Sequence, residues 1–139
     1  MQQRKIKFLD TTLRDGEQTP GVNLNLQDKL RLARELDDMR IDVIEAGFAG
    51  SSEGDFEAVS AIAKEMKYSA VASLSRAVEK DIIMSARAVE KAVHPVIHTF
   101  IATSEIHMRN KLRMTPEQVY DAALAAVRLA KKYSPVVEF

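Results

Sequence analysis

Two adjacent charged residues, Arg14 and Asp15, stand in the stretch of the sequence best suited to chemistry. They follow a short apolar run that predicts a β-strand, so they belong to the loop that leaves this strand. In a β/α fold such loops carry most functional residues. An arginine keeps its charge, and an aspartate is a hard oxygen ligand. The pair could neutralise a growing oxyanion and hold a divalent cation, although a surface ion pair or an Asx turn explains the same residues.

Apolar, β-branched runs alternate with segments of helical periodicity along the chain. We predict five strands, at residues 5–9, 42–48, 69–74, 96–102 and 136–139. The second of these lacks a clean alternation of polar and apolar residues, as expected where both faces of a strand are covered. Strands that alternate with helices at spacings of about 25 to 40 residues indicate a parallel sheet with right-handed crossovers. The predicted class is therefore α/β.

Four amphipathic segments lie between the predicted strands. Asn25 is the predicted N-cap of the first, and the second follows Ser52. The fourth has the clearest start, because Thr115 is followed by Pro116 and then by Gln118, a capping-box pattern. The apolar stripes are Leu26, Leu30, Ala33, Leu36 and Met39; Phe56, Val59, Ile62, Ala63 and Met66; Val78, Ile82, Ala86 and Val89; and Val119, Ala123, Ala126, Val127 and Ala130, with a shorter helical piece at 104–110.

The composition is that of one ordinary globular domain. The chain has 139 residues, 46% hydrophobic and 29% charged, and its 20 cationic and 20 acidic side chains cancel. Nothing in this balance indicates nucleic acid or a membrane as a partner. The absence of cysteine excludes disulfides and thiolate metal sites. No signal peptide or membrane-spanning run is recognisable, so we expect a cytoplasmic location and a single unit over residues 1–139.

The residues at the carboxyl ends of the predicted strands form a candidate site, because these ends converge at one mouth in a β/α barrel. His98 titrates near neutrality and can donate, accept or shuttle a proton, while Gln18 and Thr103 suit neutral hydrogen bonding. Glu45 and Glu138 lie within apolar runs, where a carboxylate is costly without a partner. The full set is Asp10, Arg14, Asp15, Gln18, Glu45, Ser73, Ser75, His98, Thr103, Ser104 and Glu138.

Each candidate also has a purely structural explanation. His98 could be a satisfied core histidine, and a salt bridge explains Glu45 or Glu138 about as well as catalysis does. Asp15 alone does not make a metal site, since at least two further ligands are needed. The remaining candidates are predicted at the surface or in loops (His94, His107) and in the core (Met39, Met66, Met84).

Three segments resemble one enzyme family. Residues 9–18, Leu-Asp-Thr-Thr-Leu-Arg-Asp-Gly-Glu-Gln, are similar to the signature that opens the catalytic barrel of the 2-isopropylmalate, homocitrate and citramalate synthases, whose superfamily includes 3-hydroxy-3-methylglutaryl-CoA lyase. Residues 42–48 resemble the family's second strand. The fourth-strand region resembles that of the 2-isopropylmalate synthases in particular, over 98–104 with His107, Lys111 and Leu112. The similarity extends over essentially all 139 residues.

The resemblance implies a TIM (β/α)8 barrel and a Claisen-type condensation. Acetyl-CoA loses a methyl proton, its enolate attacks the ketone of a 2-oxo acid held on a divalent cation, and hydrolysis of the thioester releases a 2-alkylmalate and coenzyme A. By motif, Asp15 matches the metal-binding aspartate and Arg14 the arginine beside the substrate carbonyl. Gln18 and His98 match further catalytic positions near the oxo acid. The implied cofactor is Mn²⁺ or Mg²⁺, with Zn²⁺ as a further alternative.

The implied substrates are acetyl-CoA and 2-oxoisovalerate, which would make the reaction the first committed step of leucine biosynthesis. Glu45, Thr103 and Glu138 are the predicted substrate-binding residues, and Glu138 falls where relatives vary the residue that faces the substrate. The resemblance further implies a cytoplasmic homodimer. Citramalate and homocitrate synthases are alternatives within the family, and a self-associating half-barrel without catalysis is the alternative of another class. One departure from the family pattern is Arg40, which stands where glycine is common.

The family's barrel has eight strands, whereas about four and a half β/α units are predicted here. We therefore expect residues 1–139 to be the N-terminal part of a longer catalytic barrel. The family's His-x-His pair and Ser-x-Glu-Asp segment would then follow Phe139, and with them the remaining metal ligands. By themselves the 139 residues are expected to have no useful synthase activity.

Overall fold

Five parallel strands form one open sheet whose order follows the chain. The computed structural model describes residues 6–139. The strands are Leu9–Asp10 (β1), Val43–Gly47 (β2), Ala70–Arg76 (β3), Pro95–Phe100 (β4) and Val136–Glu138 (β5). Each strand pairs only with its neighbours in the sequence, which is the strand order of a β/α barrel rather than of a doubly wound sheet. The sheet curls into a half-barrel, and the predicted fold class is confirmed.

Four helices connect the strands and cover one face of the sheet: Leu26–Asp38 (α1), Glu53–Glu65 (α2), Glu79–Val89 (α3) and Pro116–Tyr133 (α4). Capping explains where α4 begins, because the Thr115 hydroxyl accepts the backbone N–H of Gln118 at 3.3 Å and the Gln118 side chain accepts that of Thr115 at 2.9 Å. Asn25 and Asp28 make the equivalent box at α1, and Ser52 caps α2. The predicted helix starts are confirmed at these three positions.

The predicted strand boundaries are wrong by one or two residues at most ends. β1 begins at Leu9, and residue 5 of the predicted strand 5–9 lies outside the described residues. β3 continues to Arg76, whereas β4 ends at Phe100 instead of 102. The helical piece predicted at 104–110 is a π-helix over His107–Leu112. Such shifts are ordinary where short elements fray.

The hydrophobic core lies between the helices and one face of the sheet. Alternate residues of each strand point into it, and the intervening residues face the concave interior of the half-barrel. The helix-facing strand residues in the two core clusters are Ile44, Ala46, Val71, Ile97 and Val137. By alternation, the interior face carries Val43, Glu45, Ala72, Leu74, Arg76, Val96, His98, Phe100, Val136 and Glu138. The charged side chains of β2 to β5 thus lie on the interior face, whereas the polar Ser73 and Ser75 lie on the helix side.

Three apolar side chains placed in helix stripes by periodicity are not in the core. Met39 is 65% exposed because α1 ends at Asp38 and Met39 is its C-cap, and Val78 is half exposed because it is the N-cap of α3. Leu26, the first residue of α1, is 40% exposed. Met66 is buried as predicted, and Met84 is only partly buried.

Arg40 shows why glycine suits its position. It follows α1 with φ of 60°, in the left-handed region where glycine carries no steric penalty. Its guanidinium carbon lies 3.4 Å from the centroid of the Tyr68 ring, a cation–π contact that compensates part of the strain. Within residues 6–139, no helix combines the length and apolar character needed to cross a bilayer.

Candidate functional site

The loop after β1 is held in place by a buried leucine. Leu13 has no exposed surface and packs in the core cluster between the sheet and the first two helices. The Thr11 carbonyl accepts the backbone N–H groups of Arg14 at 3.1 Å and Asp15 at 2.8 Å, which closes a tight turn around Leu13. Asp10, one of the predicted strand-end residues, serves this turn by accepting the Thr12 N–H at 2.9 Å. The loop that carries the next two residues, Arg14 and Asp15, is therefore fixed to the core.

Arg14 is held by a buried carboxylate on the neighbouring strand. Its Nε donates to Oε1 of Glu45 at 2.6 Å, and its Nη1 lies 2.8 Å from Oδ1 of Asp15. The second oxygen of Glu45, Oε2, is hydrogen bonded to Nδ1 of His98. Glu45 has no exposed surface, while the side chains of Arg14 and His98 are one-fifth exposed. The structure therefore brings four of the predicted residues into one chain of ionic contacts: Asp15, Arg14, Glu45 and His98.

This arrangement sets the protonation states of the two buried groups. Burial raises the pKa of Glu45, but its hydrogen bonds with His98 and Arg14 outweigh burial and leave that pKa below its ordinary value. The hydrogen bond from Glu45 raises the pKa of His98 above its ordinary value; burial opposes this, and the charges of Glu45 and Glu138 add to it. Glu45 is consequently ionised and His98 favours its cationic form. With Nδ1 committed to Glu45, Nε2 is the nitrogen of His98 that remains for a ligand.

Glu138 lies directly beside His98 in the sheet. The two residues are register partners on β4 and β5, so their side chains project from the same interior face. Glu138 is partly buried, and its carboxylate is close enough to contribute to the raised pKa of His98. The structure thus adds the predicted fifth-strand residue to the ionic cluster.

Two other predicted residues stand apart from this cluster. Gln18 ends the 3-10 turn Gly16–Gln18, and Thr103 follows β4; both are exposed. Neither side chain has a hydrogen-bond partner among residues 6–139. They line the rim of the same end of the sheet without being fixed by the other candidates.

The serines of β3 do not face the site, contrary to prediction. Ser73 and Ser75 are fully buried on the helix side, where Ser73 Oγ lies 2.9 Å from Ser85 Oγ of α3 and Ser75 Oγ donates to the His98 carbonyl at 3.4 Å. The cause is the alternation of side chains along β3, in which Leu74 and Arg76 take the interior positions. Ser104 is exposed and contacts Nδ1 of His107 at 2.6 Å, and His94 is exposed as predicted.

Arg76 is a cation at the carboxyl end of β3 that is absent from the candidates chosen from the sequence. It ends β3 on the interior face, opposite Phe100 on β4. Its Nε donates to Asp81 at 2.6 Å and its Nη2 at 3.2 Å, and its guanidinium carbon lies 5.6 Å from the Phe48 ring. No distinctive signal in the sequence marks a strand-terminal arginine, and its contact with Asp81 is recognisable only in the folded protein.

The described residues do not by themselves complete a metal site. Asp15 is exposed, and one of its oxygens is engaged by Arg14. No group of three or more histidine, cysteine or acidic side chains within residues 6–139 is arranged to hold an ion. Asp15 can supply one oxygen ligand to a hard divalent cation, and a single carboxylate binds such ions weakly.

A parallel half-barrel with an ionic cluster at the carboxyl ends of its strands defines the class as a β/α-barrel domain. The family model described as HMGL-like matches residues 5–139, and the chain belongs to this family. It is 57% identical over 136 residues to the 2-isopropylmalate synthase of Geobacillus kaustophilus, and 56% identical over 136 residues to that of Ruminiclostridium cellulolyticum. It is 53% identical over 135 residues to the 2-isopropylmalate synthase of Cupriavidus metallidurans.

The matches cover nearly all of this chain but only part of each relative. The alignments include 98%, 98% and 97% of the chain and 26%, 27% and 26% of the three relatives, respectively. The chain therefore spans about a quarter of the length of the curated relatives it matches. Arg14, Asp15, Glu45, His98 and Glu138 all lie within residues 5–139, which the family model matches.

Proposed function

We propose that the protein containing these residues is a 2-isopropylmalate synthase, which condenses acetyl-CoA with 2-oxoisovalerate and releases coenzyme A. The observation that carries the proposal is the Arg14–Glu45–His98 cluster, in which two cationic side chains are fixed on one buried carboxylate at the mouth of a barrel sheet. The names of the relatives, at 52% to 57% identity, support the same reaction. We also propose that residues 1–139 form the N-terminal part of the catalytic barrel.

Arg14 would stabilise the negative charge that develops during the condensation. Its Nε is committed to Glu45 and one Nη1 contact to Asp15, which leaves the outer edge of the guanidinium for a substrate oxygen. When the enolate of the thioester attacks the ketone, the carbonyl oxygen becomes an alkoxide. A preorganised, permanently charged donor stabilises this oxygen without reorganising during the reaction.

His98 would act as a proton donor rather than as the base. Its Nδ1 is bonded to Glu45, and its raised pKa favours the imidazolium, so Nε2–H is available to a substrate oxygen. A base that removes the methyl proton of acetyl-CoA must be unprotonated, which this environment disfavours. We therefore assign to His98 the binding of an oxygen of the 2-oxo acid, with proton transfer to the new alkoxide.

Glu45 would position these two residues rather than bind substrate directly, although substrate binding is the role predicted from the sequence. Both of its oxygens have partners, Arg14 and His98, and the side chain has no exposed surface. A buried carboxylate with two cationic partners fixes the orientation of both. Gln18, Thr103 and Glu138 remain candidates for direct substrate contact because they are at least partly exposed.

A divalent cation, Mn²⁺ or Mg²⁺ with Zn²⁺ as a third possibility, would polarise the ketone when bound. Asp15 would supply one ligand. The ligands that complete the site would come from outside residues 6–139. Further proposals at this level are a homodimer and a cytoplasmic location.

The alternatives within the family, citramalate and homocitrate synthesis, differ from this proposal in the 2-oxo acid that is used. We propose 2-oxoisovalerate because the interior face near Glu138 carries the apolar side chains Leu74, Val96 and Phe100, which suit a branched alkyl group, and because a carboxylate at Glu138 would repel the second carboxylate of 2-oxoglutarate. Pyruvate would leave such an apolar surface unfilled.

The proposal is tested by thiol release from acetyl-CoA, using the protein at its natural full length. We expect kcat/KM for 2-oxoisovalerate to exceed those for pyruvate and 2-oxoglutarate. A preference for pyruvate would indicate citramalate synthesis, and a preference for 2-oxoglutarate would indicate homocitrate synthesis. Release that does not depend on any 2-oxo acid would refute a condensing enzyme.

A further inference from the structure

Lys29 in α1 is a charged side chain that none of the roles assigned above uses. Its side chain is only 8% exposed, and lysine is almost never buried to this degree unless it is paired. Its Nζ lies 2.8 Å from Oε2 of Glu17 and 3.7 Å from Oδ1 of Asp55. The nearer partner belongs to the 3-10 turn Gly16–Gln18, and the farther one to the first turn of α2. Lys29 thus joins the loop after β1 to both neighbouring helices.

The helix itself does not explain a cation at this position. Lys29 is the fourth residue of α1, near the amino end, where the helix dipole favours anions and disfavours cations. An apolar side chain would fill the same buried position without the cost of removing an ammonium group from water. The charge is explained by its two carboxylate partners, of which Glu17 is the closer.

The 3-10 turn that carries Glu17 has no anchor of its own in the core. None of its three residues is buried, and its N-cap makes no side-chain capping hydrogen bond. No residue from 14 to 28 is buried. Within residues 6–139, the pair of Glu17 with Lys29 is the only ion pair or side-chain hydrogen bond that ties this turn to a helix. The placement of Gln18, the last residue of the turn, therefore depends on this pair.

We propose that Lys29 is a positioning residue, which fixes Glu17 and thereby the turn that presents Gln18 to the 2-oxo acid. The buried ammonium limits the positions that the Glu17 carboxylate can adopt, and Gln18 follows Glu17 directly. An amide side chain on a backbone that is fixed in advance loses less conformational entropy when it binds substrate. This assignment rests on the proposed condensation and on Gln18 as a substrate contact. It concerns binding of the 2-oxo acid and gives Lys29 no part in bond formation.

The test replaces Lys29 with methionine (Lys29→Met) in the protein at its natural full length. Methionine keeps an unbranched side chain and removes the charge, so the urea midpoint of unfolding should stay close to that of the wild type. We expect KM for 2-oxoisovalerate to rise about tenfold, as when a hydrogen bond to a charged group is lost. The kcat should change less than about threefold and KM for acetyl-CoA should stay unchanged, since binding of one substrate is affected. Lys64→Met, at an exposed lysine of α2, is the control.

Two further variants separate positioning of the turn from a simple attachment of α1 to α2. Glu17→Gln removes the loop partner and should raise KM for 2-oxoisovalerate as much as Lys29→Met does. The double variant should be no worse than either single variant, because both substitutions break one contact. Asp55→Asn removes only the partner on α2 and should leave KM unchanged. An unchanged KM in Lys29→Met or Glu17→Gln, additive effects in the double variant, or an equal rise in Asp55→Asn would overturn the assignment.

Hydrogen exchange measures the same positioning without turnover. In the wild type, two backbone hydrogen bonds of 3.1 Å, donated by the N–H groups of Gln18 and Thr19, close the turn. We expect the peptide that covers residues 16–22 to exchange about tenfold faster in Lys29→Met and in Glu17→Gln, because local opening of the turn sets the exchange rate. Exchange equal to that of the wild type would show that the pair does not fix the turn.

The exchange measurement also keeps this assignment separate from the proposed reaction. If the wild-type protein releases no thiol with any 2-oxo acid, the condensation fails and the exchange rates alone decide the role of Lys29. Faster exchange then supports Lys29 as the residue that fixes the turn, and equal exchange refutes it. If Lys29→Met does not fold, Glu17→Gln decides both measurements, because its side chain is 26% exposed and tolerates the change.

Discussion

The carboxylate of Glu45 on β2 reaches across β3 to hydrogen bond with Nδ1 of His98 on β4. The residue opposite Glu45 on the intervening strand is Ala72, whose methyl side chain leaves room for this contact. The same carboxylate holds Arg14 from the loop after β1. One buried group thus fixes a side chain of β4 and a side chain of the loop after β1, two strands that are not neighbours in the sheet. This contact, rather than any single residue, organises the site.

Replacing Glu45 with glutamine should damage both stability and catalysis. The substitution keeps the volume but leaves Arg14 and His98 without their shared anion. We expect a loss of about 3 kcal/mol in the free energy of unfolding, since breaking a buried ionic network leaves uncompensated charge. The kcat should fall by about ten- to a hundredfold, as when a group that orients catalytic residues is removed. Urea unfolding and steady-state kinetics measure the two effects, and Glu35→Gln on the exposed face of α1 is the control.

The stabilisation that His98 provides should depend on pH in a defined direction. Its pKa is raised above the ordinary 6.5 in the folded protein, so its contribution is fully present below pH 6.5 and is lost as pH rises through the raised value. The pKa of Glu45 is lowered from the ordinary 4.5, so the contribution of the pair is also lost as pH falls through that lowered value.

The check is the unfolding free energy of the wild type and of His98→Asn across this pH range. The difference between them should be largest between about pH 4.5 and pH 6.5 and should shrink on the alkaline side. His94→Asn, at an exposed histidine outside the ionic cluster, is the control variant. A difference that grows with rising pH would mean that His98 is neutral in the folded protein.

Asp15→Asn should separate metal binding from stability. Asp15 is exposed and, within residues 6–139, pairs only with Arg14, so the free energy of unfolding should change by less than about 1 kcal/mol. Activity should nevertheless fall steeply, and the Mn²⁺ concentration for half-maximal rate should rise. Asp38→Asn, at an exposed position in α1, is the control. Unchanged metal dependence in Asp15→Asn would remove Asp15 from the metal site.

Glu138→Gln should alter the choice of 2-oxo acid. Removing the negative charge beside His98 reduces repulsion of a second substrate carboxylate. We expect kcat/KM for 2-oxoglutarate to rise relative to that for 2-oxoisovalerate, by about tenfold if one close like-charge contact is removed. Glu117→Gln at the start of α4 serves as a control far from the interior face. An unchanged ratio would show that Glu138 does not face the substrate.

Local signals in the sequence were sufficient for the helix starts but not for the facing of strand residues. Thr115 with Gln118 specifies a capping box through side-chain chemistry that needs no tertiary information, and the structure has that box. Ser73 was assigned to the wrong face because β3 is buried on both faces, so its polarity pattern does not reveal which alternate residues point inwards. The strand register also shifts between Glu45 and Gly47 on β2, so the facing of residues cannot be obtained by counting every second residue along this strand.

Some residues of the candidate site were likewise predictable from local sequence, whereas others were not. Arg14 and Asp15 were predictable because they stand in one short motif directly after a strand. The Glu45–His98 hydrogen bond joins residues 53 positions apart in the sequence, on two strands that have β3 between them. Only the folded sheet brings these two side chains together. Arg76 was missed because a strand-terminal arginine has no distinctive signal until its contact with Asp81 is located.

The most direct test of the account is coenzyme A release by Arg14→Gln and Arg14→Lys in the protein at its natural full length, with acetyl-CoA and 2-oxoisovalerate. Arg14 is the residue through which Glu45 and Asp15 are joined, and its guanidinium is assigned to the developing alkoxide. We predict that kcat falls about a thousandfold in Arg14→Gln, as for loss of an oxyanion donor, and that Arg14→Lys recovers little because its ammonium cannot bridge two carboxylates and a substrate. A folded Arg14→Gln protein with kcat within about threefold of wild type would contradict it.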